Sequence, residues 1–488
     1  MPPNLSRLTT PEPGGILGDR WQGSAHKTPE KDLIDLRVLI IGVGKVGYTL
    51  AETLSLENHD VTIIDNDENA LMDAAERLDV MYVKGSGASL STQRQAGAEH
   101  ANVVIAVTKS DEVNMLCCIT AKKLGAKRTV ARIRDPEYAL DSGMFMSHFE
   151  IDFVINPERS TADEILRLLR FPAAVEIDVF HRGRVEIIGF RVVPNDAITG
   201  LSLSDLRKKM KAQVLVCTVE RSGALHIPRG DFIILDGDLV YVAGKDADIT
   251  RFFRSIGRAT AIADNAMILG GGRTSYYLAS SAVRVGIKPV ILESDEKKCE
   301  QLAENVPQAT VICGDGTEQD LLESENIRKM DAFVSLTGSD EENLMLSLYA
   351  NRCGVRKVVA KADRLNYAPL VNSLGVDSIV SPNEITTGNI LHFIRGLSGA
   401  RGGAIVSLRR LLDGRVEALE FQVGIDMWHL GAKIKDLPIK RGVLIAVISR
   451  GDKSIIPEGE DIFKVGDYVI VVTTNTGFDE LNDIFEGH

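Results

Sequence analysis

Nothing in this 488-residue chain stays apolar for long. Its apolar runs, such as residues 38–41 and 103–107, last a few residues, against the roughly 20 that a membrane-spanning helix needs. The beginning carries Pro2, Pro3, Pro11, Pro13, Gly14 and Gly15 among polar neighbours, with no apolar stretch of the signal-peptide kind. Residues 1–33 read as a flexible tail. An excess of positive charge is missing too. The 56 Lys and Arg face 68 Asp and Glu, a net charge of −12. That argues against nucleic acid as a partner, because such binding rests on cations neutralising phosphates. Cysteine is sparse: Cys117, Cys118, Cys217, Cys299, Cys313 and Cys353 form no C-x-x-C and no zinc-type cluster with histidine. They read as buried thiols in a reducing cytosol. The histidines stand in no triad-like or metal-like spacing, and no Walker A sequence occurs, so no catalytic residue and no metal ligand is assigned. What is present is ordinary globular composition, 44% hydrophobic and 25% charged, enough for sizeable cores and three or four domains.

The chain repeats itself. Gly42-Val43-Gly44-Lys45-Val46-Gly47 returns 228 positions later as Gly270-Gly271-Gly272-Arg273-Thr274-Ser275. Gly85-Ser86-Gly87-Ala88 returns at 229 as Gly314-Asp315-Gly316-Thr317. Thr108, Ser110-Asp111-Glu112 and Asn114 return at 229 as Thr337, Ser339-Asp340-Glu341 and Asn343. Ile227-Pro228 returns as Ile456-Pro457, again at 229. So constant an offset means two copies of one unit, too long for a solenoid repeat.

Each unit has two halves. In the first, β-branched runs at 37–41, 60–65, 80–84, 102–108, 129–133 and 153–156 alternate with helical patterns at 46–56, 69–77 and 111–124. Alternating β and α predicts an α/β, doubly wound parallel sheet with helices on both faces, Rossmann-like. In the second half, runs at 175–180 and 185–192 flank a turn, 202–210 reads as a short basic helix, and 214–220 and 238–242 read as strands. This is a small α+β domain. Residues 157–169 and 382–394 read as amphipathic helices that join the halves, each with Pro at its start. The expected domains are therefore 34–156, 157–250, 263–381 and 382–486. The basic run Arg207-Lys208-Lys209 with Lys211 reads as a solvated helix face, with an acidic partner or anionic lipid as the alternative.

The first glycine loop has the context that gives such a loop meaning: a strand before it, a helix after it, and Asp65 at the end of the next strand, 18 residues past Gly47. Gly42 permits a tight turn, Gly44 lets a pyrophosphate approach the backbone, and Gly47 lets helix and sheet pack closely. The helix N-terminus attracts the phosphates. An acid at 65 suits ribose hydroxyls and repels a 2′-phosphate, which disfavours NADP. Thr108 ends the fourth strand at the ligand edge of the sheet, where its hydroxyl can meet ribose or phosphate. Arg132 offers a cation to phosphate, or else pairs with Asp65 or Glu150. In the second copy Ser275 stands in place of the third glycine, Glu293 keeps the spacing of Asp65, and Lys361 falls where Arg132 repeats. The second pocket is either a second nucleotide site or a retained fold with an altered pocket.

These residues point to a family. The segments 40–47, Asp65, 106–115 (AVTKSDEVNM), Ala131-Arg132-Ile133-Arg134 and the two Ile-Pro turns resemble the TrkA family, the cytosolic regulatory subunits of Trk-type bacterial potassium uptake systems, built from tandem RCK units. The resemblance spans nearly everything after residue 34. It implies the order RCK-N, RCK-C, RCK-N, RCK-C, with NAD(H), or ATP and ADP, bound in the RCK-N halves. On the matched positions, Gly42, Val43, Gly44, Lys45 and Val46 line the phosphates, Asp65 the ribose, and Thr108, Lys109 and Arg132 complete the site. Gly270, Gly271, Gly272, Arg273, Thr274, Glu293, Thr337, Gly338 and Lys361 take these places in the second copy. The resemblance also implies a homo-oligomeric ring, dimer or tetramer, beneath a TrkH-type membrane potassium channel subunit, hence a peripheral place on the inner face of the cell membrane. It implies a regulator and not an enzyme. The alternatives are an NAD-dependent oxidoreductase, which shares the cofactor fold, and a regulator of another cation transporter such as an efflux antiporter.

Overall fold

The computed structural model describes residues 36–488, apart from 141–142, 144–147, 195, 211, 259–262, 364–375, 377, 399–404, 413, 476, 479 and 488. The stretch read as a tail, 1–33, lies outside the described residues, as does Lys211.

Six parallel strands form the first sheet: β1 (Arg37–Ile41), β2 (Asp60–Asp65), β3 (Met81–Lys84), β4 (Val103–Ala106), β5 (Arg128–Arg132) and β6 (Phe153–Ile155). Their spatial order is β3-β2-β1-β4-β5-β6. The order reverses between β1 and β4, which opens a crevice beyond their carboxyl ends. Val38, Leu39, Ile40 and Ile41 are all at most 2% exposed, because helices cover both faces of the sheet. Those helices begin and end where local chemistry dictates. Asp67 accepts the Asn69 and Ala70 N–H groups at the start of Glu68–Arg77. Ser110 accepts the Val113 N–H at the start of Asp111–Leu124, which ends on Gly125 in the left-handed conformation.

The first small half is an antiparallel sheet of β7 (Glu176–Phe180), β8 (Val185–Arg191), β9 (Val214–Arg221), β10 (Ala224–His226) and β11 (Leu239–Gly244), in the order β10-β9-β11-β8-β7. The second copy repeats both sheets. Strands β12 (Asn265–Leu269), β13 (Lys288–Glu293), β14 (Thr310–Cys313), β15 (Ala332–Ser335), β16 (Lys357–Lys361) and β17 (Ser378–Val380) lie parallel in the order β14-β13-β12-β15-β16-β17. Strands β18 (Ile405–Leu411), β19 (Val416–Gln422), β20 (Val443–Arg450), β21 (Lys453–Ile455) and β22 (Tyr468–Thr473) form the last sheet, in the order β18-β19-β22-β20-β21. The fold is the expected one: two Rossmann-like sheets, each followed by a small α+β half.

The joining helices do more than join. Pro157–Arg170 follows the first sheet, yet Ala162, Ile165, Leu168 and Leu169 pack into a core shared with Ala266, Ile268, Leu278 and Ala282 of the second. Pro382–Ser398 does the reverse. Its Ile390, Leu391 and Ile394 sit in the core of the first sheet with Ile40, Leu50, Ile105 and Val130. Phe393 stacks on Phe153, with centroids 4.8 Å apart and planes 8° from parallel. Arg395 pairs with Glu57. The two Rossmann-like halves thus exchange helices. The two antiparallel sheets also share a core, Phe180, Val185, Ile187 and Tyr241 against Leu411, Val416, Ala418 and Ile470. Arg207 of the basic helix Leu203–Lys209 pairs with Glu458, 2.6 Å away.

One expectation about the thiols is corrected. Cys117, Cys118, Cys217 and Cys299 are buried, but Cys353 is half-buried and Cys313 exposed. Cys313 is the last residue of an edge strand, at the open margin of the sheet.

Candidate functional site

The first glycine loop joins β1 to the helix Lys45–Leu56 at the reversal point of the sheet. Gly42 has φ +100° and lies 3.0–3.1 Å from the Val107–Thr108 backbone, counted from where a Cβ would stand. A Cβ on Gly47 would lie 1.9 Å from the Gly42 carbonyl oxygen, so the helix meets the loop backbone to backbone. A Cβ on Gly44 would meet nothing within 4 Å. That open space lies at the N-terminus of a helix whose N-cap, Gly44, supplies no side-chain hydrogen bond. Free N–H groups and the positive end of the helix dipole there suit an anion. The side chains of Val43 and Val46 are buried in the core, so these two residues offer only backbone to the loop. Lys45 is exposed.

Asp65 ends β2 and holds the loop. One carboxylate oxygen accepts the Val43 N–H at 2.6 Å and the other the Asp67 N–H at 3.0 Å. Glu293 does the same in the second copy, accepting the Gly271 N–H at 2.6 Å and the Asp295 N–H at 2.9 Å. The longer acid is matched by the smaller loop residue. A Cβ at 271 would stand 2.9 Å from the Glu293 Cβ and 2.7 Å from the Leu302 Cδ1. Ser275, the departure from the glycine pattern, is fully buried and donates its hydroxyl to the Gly270 carbonyl. The added bulk is therefore turned into a bond, and the helix Arg273–Arg284 starts on Gly272 with no side-chain cap, as in the first copy.

The far wall of each pocket is built around an asparagine that sequence reading treated only as a repeat landmark. Asn114 Oδ1 accepts the Thr108 N–H (2.8 Å) and hydroxyl (2.7 Å), and its Nδ2 donates to the carbonyls of Thr108 (3.2 Å) and Arg132 (2.8 Å). Asn343 makes the same four bonds with Thr337 and Lys361, at 2.8, 2.9, 3.3 and 3.0 Å. Thr108 and Thr337 are thus committed to holding β4 and β15 to the next strand. Arg132 donates to the Thr108 carbonyl, and Lys361 to that of Thr337 at 2.6 Å. Arg132 forms no ion pair with Asp65 or Glu150 among the described residues. Burial lowers the pKa of both cations, and the neighbouring Arg134 adds to it for Arg132. Lys109 and Gly338 are exposed at the pocket edges, and Thr274 is half-buried.

The two pockets face each other. Lys45 of the first loop lies 3.8 Å from Asp363 at the end of β16, and Arg273 of the second lies 3.2 Å from Asp135 just past β5. Asn156 binds both the Arg134 carbonyl (3.2 Å) and the Tyr277 hydroxyl (3.0 Å), tying one copy to the other. Between the loops stands Glu158, in the first turn of Pro157–Arg170. Its carboxyl is raised by burial, against the pull of Arg134, Arg273 and Arg132. Here Arg132 Nε, Glu158 Oε2 and Asp363 Oδ1 are buried without a hydrogen-bond partner among the described residues, while Arg134 Nε and Asp111 Oδ1 face each other as an ion pair at 3.5 Å. Each such group costs about 1–3 kcal/mol. The unpartnered Arg132 Nε beside two uncapped helix starts fits an anionic ligand, whereas the carboxylates of Asp111, Glu158 and Asp363 would repel one and limit where its charge can lie. None of the sequence-predicted site residues lines the cleft of about 1860 Å³ between the joining helices and the antiparallel sheets.

A family model described as the TrkA-N domain matches residues 38–157 and 266–382, and one described as the TrkA-C domain matches 187–257 and 419–486. Trk system potassium uptake protein TrkA homolog 1 of Methanosarcina mazei is 33% identical over 459 residues, covering 92% of this chain and 100% of that protein. Trk system potassium uptake protein TrkA of Haemophilus influenzae is 30% identical over 459 residues, covering 92% and 99%. Among solved structures, the GsuK channel bound to NAD superposes with a TM-score of 0.59 at 18% identity, over 91% of this chain and 78% of that one. The GsuK RCK domain does so with a TM-score of 0.58 at 18% identity, over 91% and 94%. At that identity the likeness is one of fold.

Proposed function

The chain belongs to the TrkA family, and from that premise we propose that it is the regulatory subunit of a Trk-type potassium uptake system, gated by a nucleotide that it binds and does not consume. The observation that carries the nucleotide is the pair of uncapped glycine-loop helices facing each other beside Arg132, whose buried Nε has no hydrogen-bond partner among the described residues. The ligand class is NAD(H), with ATP and ADP as the adenine-bearing alternatives. A bound dinucleotide supplies pyrophosphate charge and ribose hydroxyls. The loop N–H groups of residues 44–46 hold the phosphates, the Val43 N–H being taken by Asp65, which also meets the ribose, and Arg132 supplies a half-buried cation. Glu293 and Lys361 take those parts in the second pocket.

The work on the channel comes from differential affinity. Lys45 and Arg273 each reach a carboxylate of the opposite copy. An anion at either loop competes for that cation and loosens one tie between the two Rossmann-like halves. Because those halves also exchange helices, a change in how they are held reaches the antiparallel sheets behind them. A coupling of about 1–3 kcal/mol is the usual scale of such regulation. The partner is a TrkH-type membrane subunit met by a ring of these chains on the cytoplasmic face of the membrane. No described helix is long and apolar enough to cross a membrane.

The test is rubidium uptake, as a potassium tracer, in potassium-starved cells stripped of other potassium importers, with and without this gene. Uptake should fall sharply on deletion, return with the intact gene, and stay low with Asp65→Ala. Unchanged uptake overturns the reading and favours an efflux regulator. Consumption of NADH by the purified chain with added metabolites overturns it in favour of an oxidoreductase.

A further inference from the structure

The two copies differ beside the second acid. Cys299 lies in the helix Glu296–Asn305 and Cys313 at the end of β14. The corresponding residues of the first copy are Leu71, wholly buried, and Lys84, paired with Glu68 at 2.5 Å. The two cysteines meet at Glu293. Its carbonyl accepts both the Cys299 thiol (3.2 Å) and the Gly314 N–H (2.9 Å), the peptide group next after Cys313. In the β13–β14 register Glu293 stands directly beside Cys313. The sulfur of Cys299 therefore hangs on the carbonyl to which the Cys313–Gly314 peptide also binds.

We propose that Cys299 and Cys313 form a reversible dithiol–disulfide pair that sets the second glycine-loop pocket by thiol redox state. Cys313 is exposed and meets the oxidant first. Its thiolate attacks a low-molecular-weight disulfide, RSSR, giving the mixed disulfide Cys313–S–S–R and releasing RS⁻. Cys299 loses its proton to water and attacks the Cys313 sulfur, which expels a second RS⁻. The sum is two protein thiols plus RSSR giving one protein disulfide plus two RSH. Burial raises the Cys299 thiol, and the nearby Cys313 sulfur raises it further.

The consequence for the pocket rests on the nucleotide reading above. A disulfide sulfur cannot donate, so oxidation removes the Cys299 bond to the Glu293 carbonyl. It also pins the helix to β14. That helix carries Leu302, 2.7 Å from where a Cβ at Gly271 would stand, and its N-cap Asp295 donates its N–H to Glu293. The acid, the loop and the helix move as one group, so nucleotide affinity falls on oxidation.

The experiment uses the full chain carrying Asp65→Ala, in which NADH reports the second pocket. The reduced protein is treated with oxidised glutathione, the free thiols are alkylated, and peptides are mapped by mass spectrometry beside an NADH fluorescence titration. A mapped Cys299–Cys313 cross-link is expected, with NADH bound about fivefold or more weaker, the lower range of allosteric coupling. Dithiothreitol should reverse both, and Cys313→Ser should lose both while unfolding at the same temperature when reduced. Cysteines that stay free, or Cys313 carrying only glutathione, overturn the inference and leave the nucleotide reading untouched. A cross-link that leaves NADH affinity unchanged overturns the link to the pocket. If the reduced chain binds no NADH, the nucleotide reading of this pocket falls and takes that link with it.

Discussion

Gly44→Ala and Gly47→Ala add the same methyl three residues apart on the first loop, and they should fail in different ways. At Gly44 the new Cβ meets nothing within 4 Å, and the backbone (φ −73°, ψ −172°) is one any residue adopts. The change in stability should stay below about 1 kcal/mol, the scale of an N-cap effect. The methyl fills the space in front of the helix N-terminus, where a phosphate must approach the backbone. Losing one charge-assisted hydrogen bond costs about 2 kcal/mol, roughly thirtyfold in Kd. At Gly47 the Cβ would stand 1.9 Å from the Gly42 carbonyl oxygen, so the helix must retreat from the sheet by more than an ångström. Overpacking against backbone costs about 2–3 kcal/mol, and binding goes with it. Ser275 adds a third arm, because its hydroxyl bonds to the corresponding carbonyl. Gly47→Ser, although bulkier, should therefore be less destabilising than Gly47→Ala. Thermal unfolding and calorimetric NADH titration of the full chain read both quantities. Gly44→Ala should unfold like the parent and bind NADH at one fewer site. If it binds as the parent does, the phosphates are not held at this loop and the argument is wrong. If Gly47→Ala unfolds like the parent, the close approach of helix and loop is wrong.

Three other outcomes follow from the same geometry. Asp65→Ala should leave the Val43 N–H without its acceptor, lowering stability by about 1–2 kcal/mol as well as weakening nucleotide binding, whereas Asp65→Asn, which keeps an acceptor, should recover most of the stability; equal unfolding midpoints for the two would refute the loop-holding role. The Glu186 carboxyl is buried and raised from 4.5 to about 7, first by burial and then by Asp246. Between pH 4.5 and 7 the folded chain keeps a proton that the unfolded chain has lost, so this group's stabilising contribution is full below pH 4.5 and disappears as pH rises through 7. Glu186→Gln should match the parent near pH 4.5 and exceed it by about 3 kcal/mol at pH 8 in urea unfolding, and parallel pH curves would contradict this. Ile394→Ala should cost about 3 kcal/mol, and hydrogen exchange should show the loss in β1 and β4, although residue 394 follows the second sheet in the chain. A loss confined to the last antiparallel sheet would refute the helix exchange.

The sequence by itself settled whatever depends on neighbours along the chain. Buried β-branched runs set the parallel strands, and a glycine that must take φ +100° set the first turn. The helix ends that Asp67, Ser110 and Gly125 fix are local in the same sense, because a cap bonds within a few residues of itself. The fixed offset of 228 to 229 residues exposed the duplication and paired Asp65 with Glu293 before any contact was known. Asn114 and Asn343 were visible through that same offset, but their role was not. It appears only when β4 meets β5, and β15 meets β16, so that one amide spans two strand ends. The crossed pairs Lys45–Asp363 and Arg273–Asp135 were equally hidden, since each joins residues far apart in sequence. So was the destination of the joining helices. An amphipathic stripe says that a face will be buried, but apolar burial has no direction and names no partner. Only the tertiary structure decided that each stripe covers the other copy's sheet, and that Cys313, at the end of an edge strand, stays exposed beside a buried Cys299.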